Sequence, residues 1–178
     1  MMKKLVIVTG SSNGIGRAIA EEFLKNDFSV VGIDRLDSTI ENVNYHHYKK
    51  DIFYDELPDI PNCEILINNA GTQNENDIDI NLKGTIKYAF QDNIKSVLFV
   101  SSASGNTGAE FPEYAASKGG VIAYMKNVAL RIAKYHATSN SISPGGVITD
   151  LNDHILKNEN LYEAVLNETL LHRWSDVE

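Results

Sequence analysis

Five short runs rich in β-branched residues, at 5–8, 29–33, 64–67, 97–100 and, more weakly, 140–143, are separated by stretches of helical periodicity. That alternation restricts the chain more than any other feature. Strands spaced so far apart are joined by crossover helices and pair in parallel. The runs are apolar on both faces, which suits a sheet covered by helices on each side and not a sandwich with one wet face. A further strand is expected around 45–49. The first helix carries Ile15, Ala18, Ile19 and Phe23 as its apolar stripe, with Arg17, Glu21 and Lys25 outward. The longest helix is expected over 113–135, entered just after Pro112 and turning Ala115, Ala116, Val121, Ile122, Met125, Ala129 and Ile132 inward. Pro58 and Pro61 forbid a regular helix between 53 and 63.

At 178 residues the chain has room for about one domain with a real core, taken as 1–178. A formal charge of -8 opposes nucleic acid, whose phosphates demand clustered cations. Cys63 is the sole cysteine, so no internal disulfide is possible, and a reducing cytoplasm is the expected compartment. The apolar run at 5–8 is too short for a signal-peptide core, and nothing is expected to span a membrane. His46, His47, His136, His154 and His172 show no ligand spacing with carboxylates or the thiol, so no metal is expected and all five are read as surface or packing residues.

Between the first strand and the first helix stands Thr9-Gly10-Ser11-Ser12-Asn13-Gly14-Ile15-Gly16. A glycine-rich turn at that place lets pyrophosphate approach the backbone and the first N–H groups of the helix. The Gly-Lys-Ser/Thr of a nucleoside-triphosphate loop is absent. Asp34 ends the second strand 18 positions beyond Gly16, near the spacing of a carboxylate that binds adenosine ribose hydroxyls. It would repel a 2'-phosphate, and the turn holds no cation to attract one. NAD(H) is therefore expected over NADP(H), with Arg35 the one dissenting neighbour.

Further motifs follow in order: Asn68-Asn69-Ala70-Gly71 after the fourth strand, Asn81-Leu82-Lys83-Gly84, Ser102 at the end of the fifth strand, Tyr114-Ala115-Ala116-Ser117-Lys118 opening the long helix, and Pro144-Gly145-Gly146-Val147-Ile148-Thr149. Together with the glycine turn this set resembles the short-chain dehydrogenases/reductases, of the non-extended, 3-oxoacyl-reductase-like type. The resemblance implies a single-domain α/β fold, a doubly wound parallel sheet of Rossmann kind. A Tyr-x-x-x-Lys match alone is weak, since the chain contains a second one, Tyr45 to Lys49, read as the solvated face of a strand. Four residues apart on a helix, by contrast, the Lys118 ammonium can stand beside the Tyr114 phenol.

A phenol ordinarily titrates near 10, and an adjacent ammonium makes it easier to ionise. The resemblance thus implies carbonyl/secondary-alcohol interconversion with Tyr114 as general acid/base, Ser102 bonding the substrate oxygen and Lys118 also bonding the nicotinamide ribose. Ser104 is a lesser candidate for the serine role, and Ser101 should point the other way. Asn81 would hold a proton-relaying water. The cofactor contacts implied are Gly10, Ser12, Asn13, Gly14, Ile15, Gly16, Asp34, Asp51, Ile52, Asn69, Ala70, Gly71, Tyr114, Lys118, Pro144, Val147 and Thr149.

Residues 151–171 read as a helical lid over the substrate, with Leu161, Val165, Leu166 and Leu170 as its apolar stripe. Relatives continue past the position of Glu178 with another helix and strand, so these are expected to be missing, and Ser175-Asp176-Val177-Glu178 has the spacing of a capping box with no helix body after it. The substrate would be a small-molecule or acyl-chain carbonyl or alcohol, as for 3-oxoacyl-thioester reductases or sugar and steroid dehydrogenases. A homodimer or homotetramer is implied. The rival reading is a dinucleotide-sensing scaffold without turnover.

Overall fold

A computed structural model describes residues 3–88, 94–109 and 111–177. Six strands, β1 (Leu5–Thr9), β2 (Ser29–Asp34), β3 (Tyr45–Lys49), β4 (Cys63–Asn68), β5 (Ser96–Val100) and β6 (Thr138–Ile142), form one sheet in the order β3-β2-β1-β4-β5-β6. Every pairing is parallel, as the apolar runs require. The strand order reverses between β1 and β4, which opens a crevice at the carboxyl ends of the strands.

Both faces of the sheet are covered. Val6, Val8, Val30 and Ile67 pack under α1 (Gly14–Lys25), while Ile7, Ile33, Leu66, Val97 and Phe99 pack under α4 (Pro112–Ile132). Alternate residues of each central strand thus serve opposite cores, the physical reason the runs show no polar positions. β6 is different. Its Thr-Ser-Asn-Ser-Ile alternates exposed and half-buried, as befits an edge strand.

Two helical stripes depart from expectation. In α1 the deepest residues are Gly16, Ala20 and Leu24, while Ile15, Ala18, Ile19 and Phe23 are half-buried flanks. Small residues win the centre because they let the helix axis come close to the strands, and the larger chains then splay to either side. In α4, Ala116 is exposed and Val128 is fully buried, so the inward face runs through Ala115, Lys118, Val121, Val128 and Ile132. The site's polar residues occupy core positions there, which no hydrophobic pattern anticipates. No helix intervenes between β3 and β4, where Pro58 and Pro61 stand.

Before α2 (Thr85–Tyr88) the chain runs through a π-helical segment, Ile78–Gly84, which carries Asn81. Short α3 (Ala103–Thr107) follows β5, and the crevice is flanked by α5 (Asp153–Leu156) and α6 (Glu159–Glu168). Leu161, Val165 and Leu166 do form a partly covered stripe. Leu170 does not join it, because α6 ends at Glu168 and leaves Leu170 97% exposed. Ser175 pairs with the loop after β6, its carbonyl accepting from Ile148 N at 2.9 Å. Glu178, the last residue of the capping-box pattern, lies outside the described residues. No helix among the described residues is long and apolar enough to cross a membrane.

Candidate active site

A cleft of about 850 Å³ lies across the carboxyl ends of all six strands. At its centre β1 turns sharply into α1. Gly10 has φ +68°, and a Cβ there would stand 2.7 Å from Ala70 Cα; one on Gly16 would stand 2.0 Å from the Gly10 carbonyl oxygen. Only glycine permits both approaches. The turn is clamped to the end of β4: Thr9 Oγ1 accepts from Asn69 N at 3.0 Å and Ala70 N at 3.1 Å, and Asn69 Nδ2 donates to the carbonyls of Thr9 and Gly10. This work of Thr9 went unread in the sequence, where the threonine was only a motif letter. The amino end of α1 has no side-chain cap from Asn13 and no acidic residue in its first turn. Its leading N–H groups are thus left for an anion.

At one end of the cleft Asp34 accepts from Ser12 N and from Leu36 N, both at 2.9 Å, so its carboxylate is held in place by backbone. Arg35, Lys50, Asp51 and Ile52 line the same end. Asp51 Oδ1 caps the following turn, accepting from Phe53 N and Tyr54 N. Ser12 and Gly16 do not line the cleft; both are buried behind the turn. Ser12 Oγ is one of two buried side-chain polar atoms without a hydrogen-bond partner among the described residues. The decoy tyrosine is not a solvated strand face. Tyr45 is half-buried, its hydroxyl 2.9 Å from Ser11 Oγ and 3.2 Å from His47 Nδ1, while His47 Nε2 lies 2.9 Å from the Leu36 carbonyl. Burial pushes the Tyr45 phenol up, away from any acid-base use near neutrality. The ring fills the space beside Gly32, under the glycine turn, and so supports it from below.

At the other end stand Ser102, Ser104, Tyr114 and Lys118. Ser102 precedes α3 and caps it, accepting from Ser104 N at 3.2 Å, with the two hydroxyls 3.3 Å apart. Ser101 turns its hydroxyl to α4, donating to the Lys118 carbonyl at 2.8 Å. Lys118 is buried at 5% exposed; its Nζ donates to the Val100 carbonyl at 3.0 Å and stands 5.8 Å from the centroid of the half-buried Tyr114 ring. Burial pulls this ammonium down to about 8, against the opposing charge of Asp77. Asn81 is buried outside the cleft lining. Its amide bonds both backbone groups of Thr72 and the Ser117 hydroxyl, tying the loop after β4 to α4.

Gly71, Pro144, Val147 and Thr149 also line the cleft, with Thr149 facing Gly14 across the turn. The far wall is apolar in large part: Phe111, Leu151, Ile155, Leu161 and Val165, with His154 and Glu168 among them. Trp174 was missed, since an aromatic in a polar tail has no periodicity to flag it. It is buried against Gly146 and packs edge-on to Tyr162 of α6, ring centroids 5.6 Å apart. Cys63 is buried, its thiol pushed up to about 11 by desolvation, and takes no part in the cleft. Among the described residues no cluster of His, Cys, Asp or Glu is arranged to hold a metal ion.

Comparison with known proteins agrees with this arrangement. Residues 4–57 match the family model for short chain dehydrogenase, and residues 58–178 match that for enoyl-(acyl carrier protein) reductase. A 3-oxoacyl-[acyl-carrier-protein] reductase of Buchnera aphidicola is 25% identical over 212 residues, spanning 99% of this chain and 86% of its own. Two solved structures share the fold. One is a 4-hydroxyisoleucine dehydrogenase complexed with NADH, TM-score 0.84 at 23% identity, covering 98% of this chain and 86% of that one. The other is ElxO with NADP bound, TM-score 0.83 at 23% identity, covering 99% and 87%. The parallel sheet with its reversal at β1 and β4, the clamped glycine turn and both family matches make this chain a member of the short-chain dehydrogenase/reductase family, oxidoreductases that act on CH–OH or carbonyl groups with a nicotinamide dinucleotide.

Proposed function

We propose that this protein is an NAD(H)-dependent oxidoreductase that interconverts a carbonyl and a secondary alcohol, with Tyr114 as general acid and base. One observation carries the reading: a buried ammonium, Lys118, stands 5.8 Å from the ring of a half-buried tyrosine that opens onto the cleft. An ammonium so close stabilises the phenolate, and its burial strengthens the effect by excluding water. Tyr114 then gives a proton to the substrate oxygen in reduction and takes it back in oxidation. Ser102, with Ser104 beside it, holds that oxygen as charge develops. Lys118 would bond the nicotinamide ribose as well. Asn81, its amide spent on Thr72 and Ser117, keeps the loop after β4 against α4 and supports a proton path past Lys118.

The lining fits a dinucleotide. Its uncapped helix end, glycine approaches and backbone-held Asp34 supply an anion seat and a ribose acceptor in one trough. When bound, the nicotinamide would supply the hydride in reduction and accept it in oxidation. The residues in contact would be Gly10, Asn13, Gly14, Ile15, Asp34, Asp51, Ile52, Asn69, Ala70, Gly71, Pro144, Val147 and Thr149, with Ser12 and Gly16 shaping the turn from behind. Asp34 favours NAD(H), since its fixed carboxylate repels a 2'-phosphate more strongly than Arg35, exposed beside it, attracts one. The apolar far wall suits a small or acyl-chain carbonyl under the lid of 151–171. A cytoplasmic homo-oligomer completes the reading, its contact running through exposed Ile86 and Leu130 of α2 and α4.

The test is NADH oxidation against a panel of 3-oxoacyl thioesters, sugars and ketosteroids. Tyr114→Phe should lose turnover by roughly 10²- to 10⁴-fold with NADH binding retained. Equal rates in the two proteins would remove the mechanism. Tighter binding of NADPH than NADH would overturn the cofactor preference.

A further inference from the structure

Two charged side chains are buried among the described residues, Asp77 at 2% exposed and Lys118 at 5%. They carry opposite charges and belong to different elements, Lys118 to α4 and Asp77 to the turn that enters the π-helical segment. A buried charge with no counter-charge costs several kcal/mol, so two such residues beside one site call for a shared explanation.

The bonds around Asp77 lead toward Lys118. Asp77 Oδ1 accepts from the Thr72 hydroxyl at 3.1 Å and from Asn74 N at 2.9 Å, and lies 3.5 Å from Asn81 Nδ2. Thr72 holds Asn81 in both directions: its N donates to Asn81 Oδ1 at 2.7 Å, and its carbonyl accepts from Nδ2 at 3.0 Å. Asn81 Nδ2 also donates to Ser117 Oγ, one residue before Lys118. Gly71 fills the gap between the two arms, for a methyl there would stand 3.1 Å from Asn81 Oδ1 and 3.2 Å from Lys118 Nζ. Among the described residues the Val100 carbonyl accepts from this ammonium, the Tyr114 ring stands 5.8 Å from it, and Asn81 Oδ1 lies across the Gly71 gap. Asp77 therefore supplies the negative charge for this pocket, and its field opposes the desolvation that favours a neutral amine.

We infer that Asp77 is a positioning residue of this enzyme: through Thr72 it fixes Asn81 against α4, and its buried carboxylate is the counter-charge of the buried Lys118 ammonium. The consequence for turnover rests on the proton-transfer reading of Tyr114 and Lys118 given above; the charge coupling itself does not. It is measured without substrate. In protein labelled with [13C]lysine, the Cε resonance of Lys118, assigned by its loss in Lys118→Arg, is followed against pH. Asp77→Asn and Asp77→Ser, both neutral, should move the Lys118 midpoint to lower pH, while Asp77→Glu restores it and Asp79→Asn on the exposed side leaves it unmoved. A merely structural carboxylate predicts the reverse order, with the isosteric Asn tolerated and the longer Glu disruptive. An unshifted midpoint in the neutral variants would overturn the inference; with two of them, one that fails to fold leaves the other to decide. If the midpoint falls while the pH profile of carbonyl reduction stays put, the Asp77 coupling stands and the Tyr114–Lys118 mechanism is what fails.

Discussion

The two ends of the cleft are built by opposite means. At the end beside the glycine turn the lining is mostly backbone: a left-handed glycine, a turn pressed to van der Waals limits on β4, and a carboxylate held by two N–H groups. Behind it β1 is almost wholly buried. At the far end the wall is made largely of side chains on α5 and α6, neither of which has a buried residue. The difference teaches where this fold permits variation. An end built of glycine approaches and backbone contacts tolerates almost no substitution at those glycines, whereas a wall of half-exposed side chains on short helices exchanges them at little cost to the fold.

That contrast can be broken by substitution. Gly16→Ala should have the largest effect, more than about 3 kcal/mol of stability or outright failure to fold, because the new methyl meets the Gly10 carbonyl and neither backbone can yield. Urea unfolding followed by circular dichroism reads it, and a wild-type midpoint would end the claim that this end is backbone-limited. Trp174→Ala should come next, at about 3 kcal/mol, since it empties the buried seat between Gly146 and Tyr162 that joins α6 to the loop after β6. NADH affinity should change less than substrate affinity; the opposite ranking would mean that α6 and the glycine-turn end are one unit. Leu161→Ala should do least to the fold, within about 0.5 kcal/mol, because the side chain is 40% exposed. Its effect should appear in KM for the longest apolar substrate, roughly tenfold, and vanish for the shortest. A stability loss equal to that of Gly16→Ala would erase the distinction between the two ends.

Much of the glycine-turn end was legible in the chain because its signals are local. Gly10, Gly14 and Gly16 announce a turn through the conformations and approaches glycine alone allows, and the apolar runs on either side place that turn between a strand and a helix. Tyr114 and Lys118 were legible for the same reason, one helical turn being a fixed distance. Tyr45 and Lys49 show the limit. The same spacing in a strand gave no hint that the phenol reaches Ser11 across β2, because that contact depends on β3 pairing at the sheet edge. Nor did anything mark Asp77, whose bonded partners sit in a loop with no period, or Trp174, whose partners Gly146 and Tyr162 lie farther away along the chain.

The sequence by itself determined the alternation of apolar runs and helical stretches that announces a parallel sheet, the helix that follows its first turn and the spacing of Tyr114 and Lys118, since each is written in a local pattern along the chain. Only the tertiary structure decided which faces of α1 and α4 are deepest, which residues meet across the cleft, and that two opposite charges share one dry interior. Burial and long-range electrostatics belong to no segment; they come into being when separate segments exclude water together.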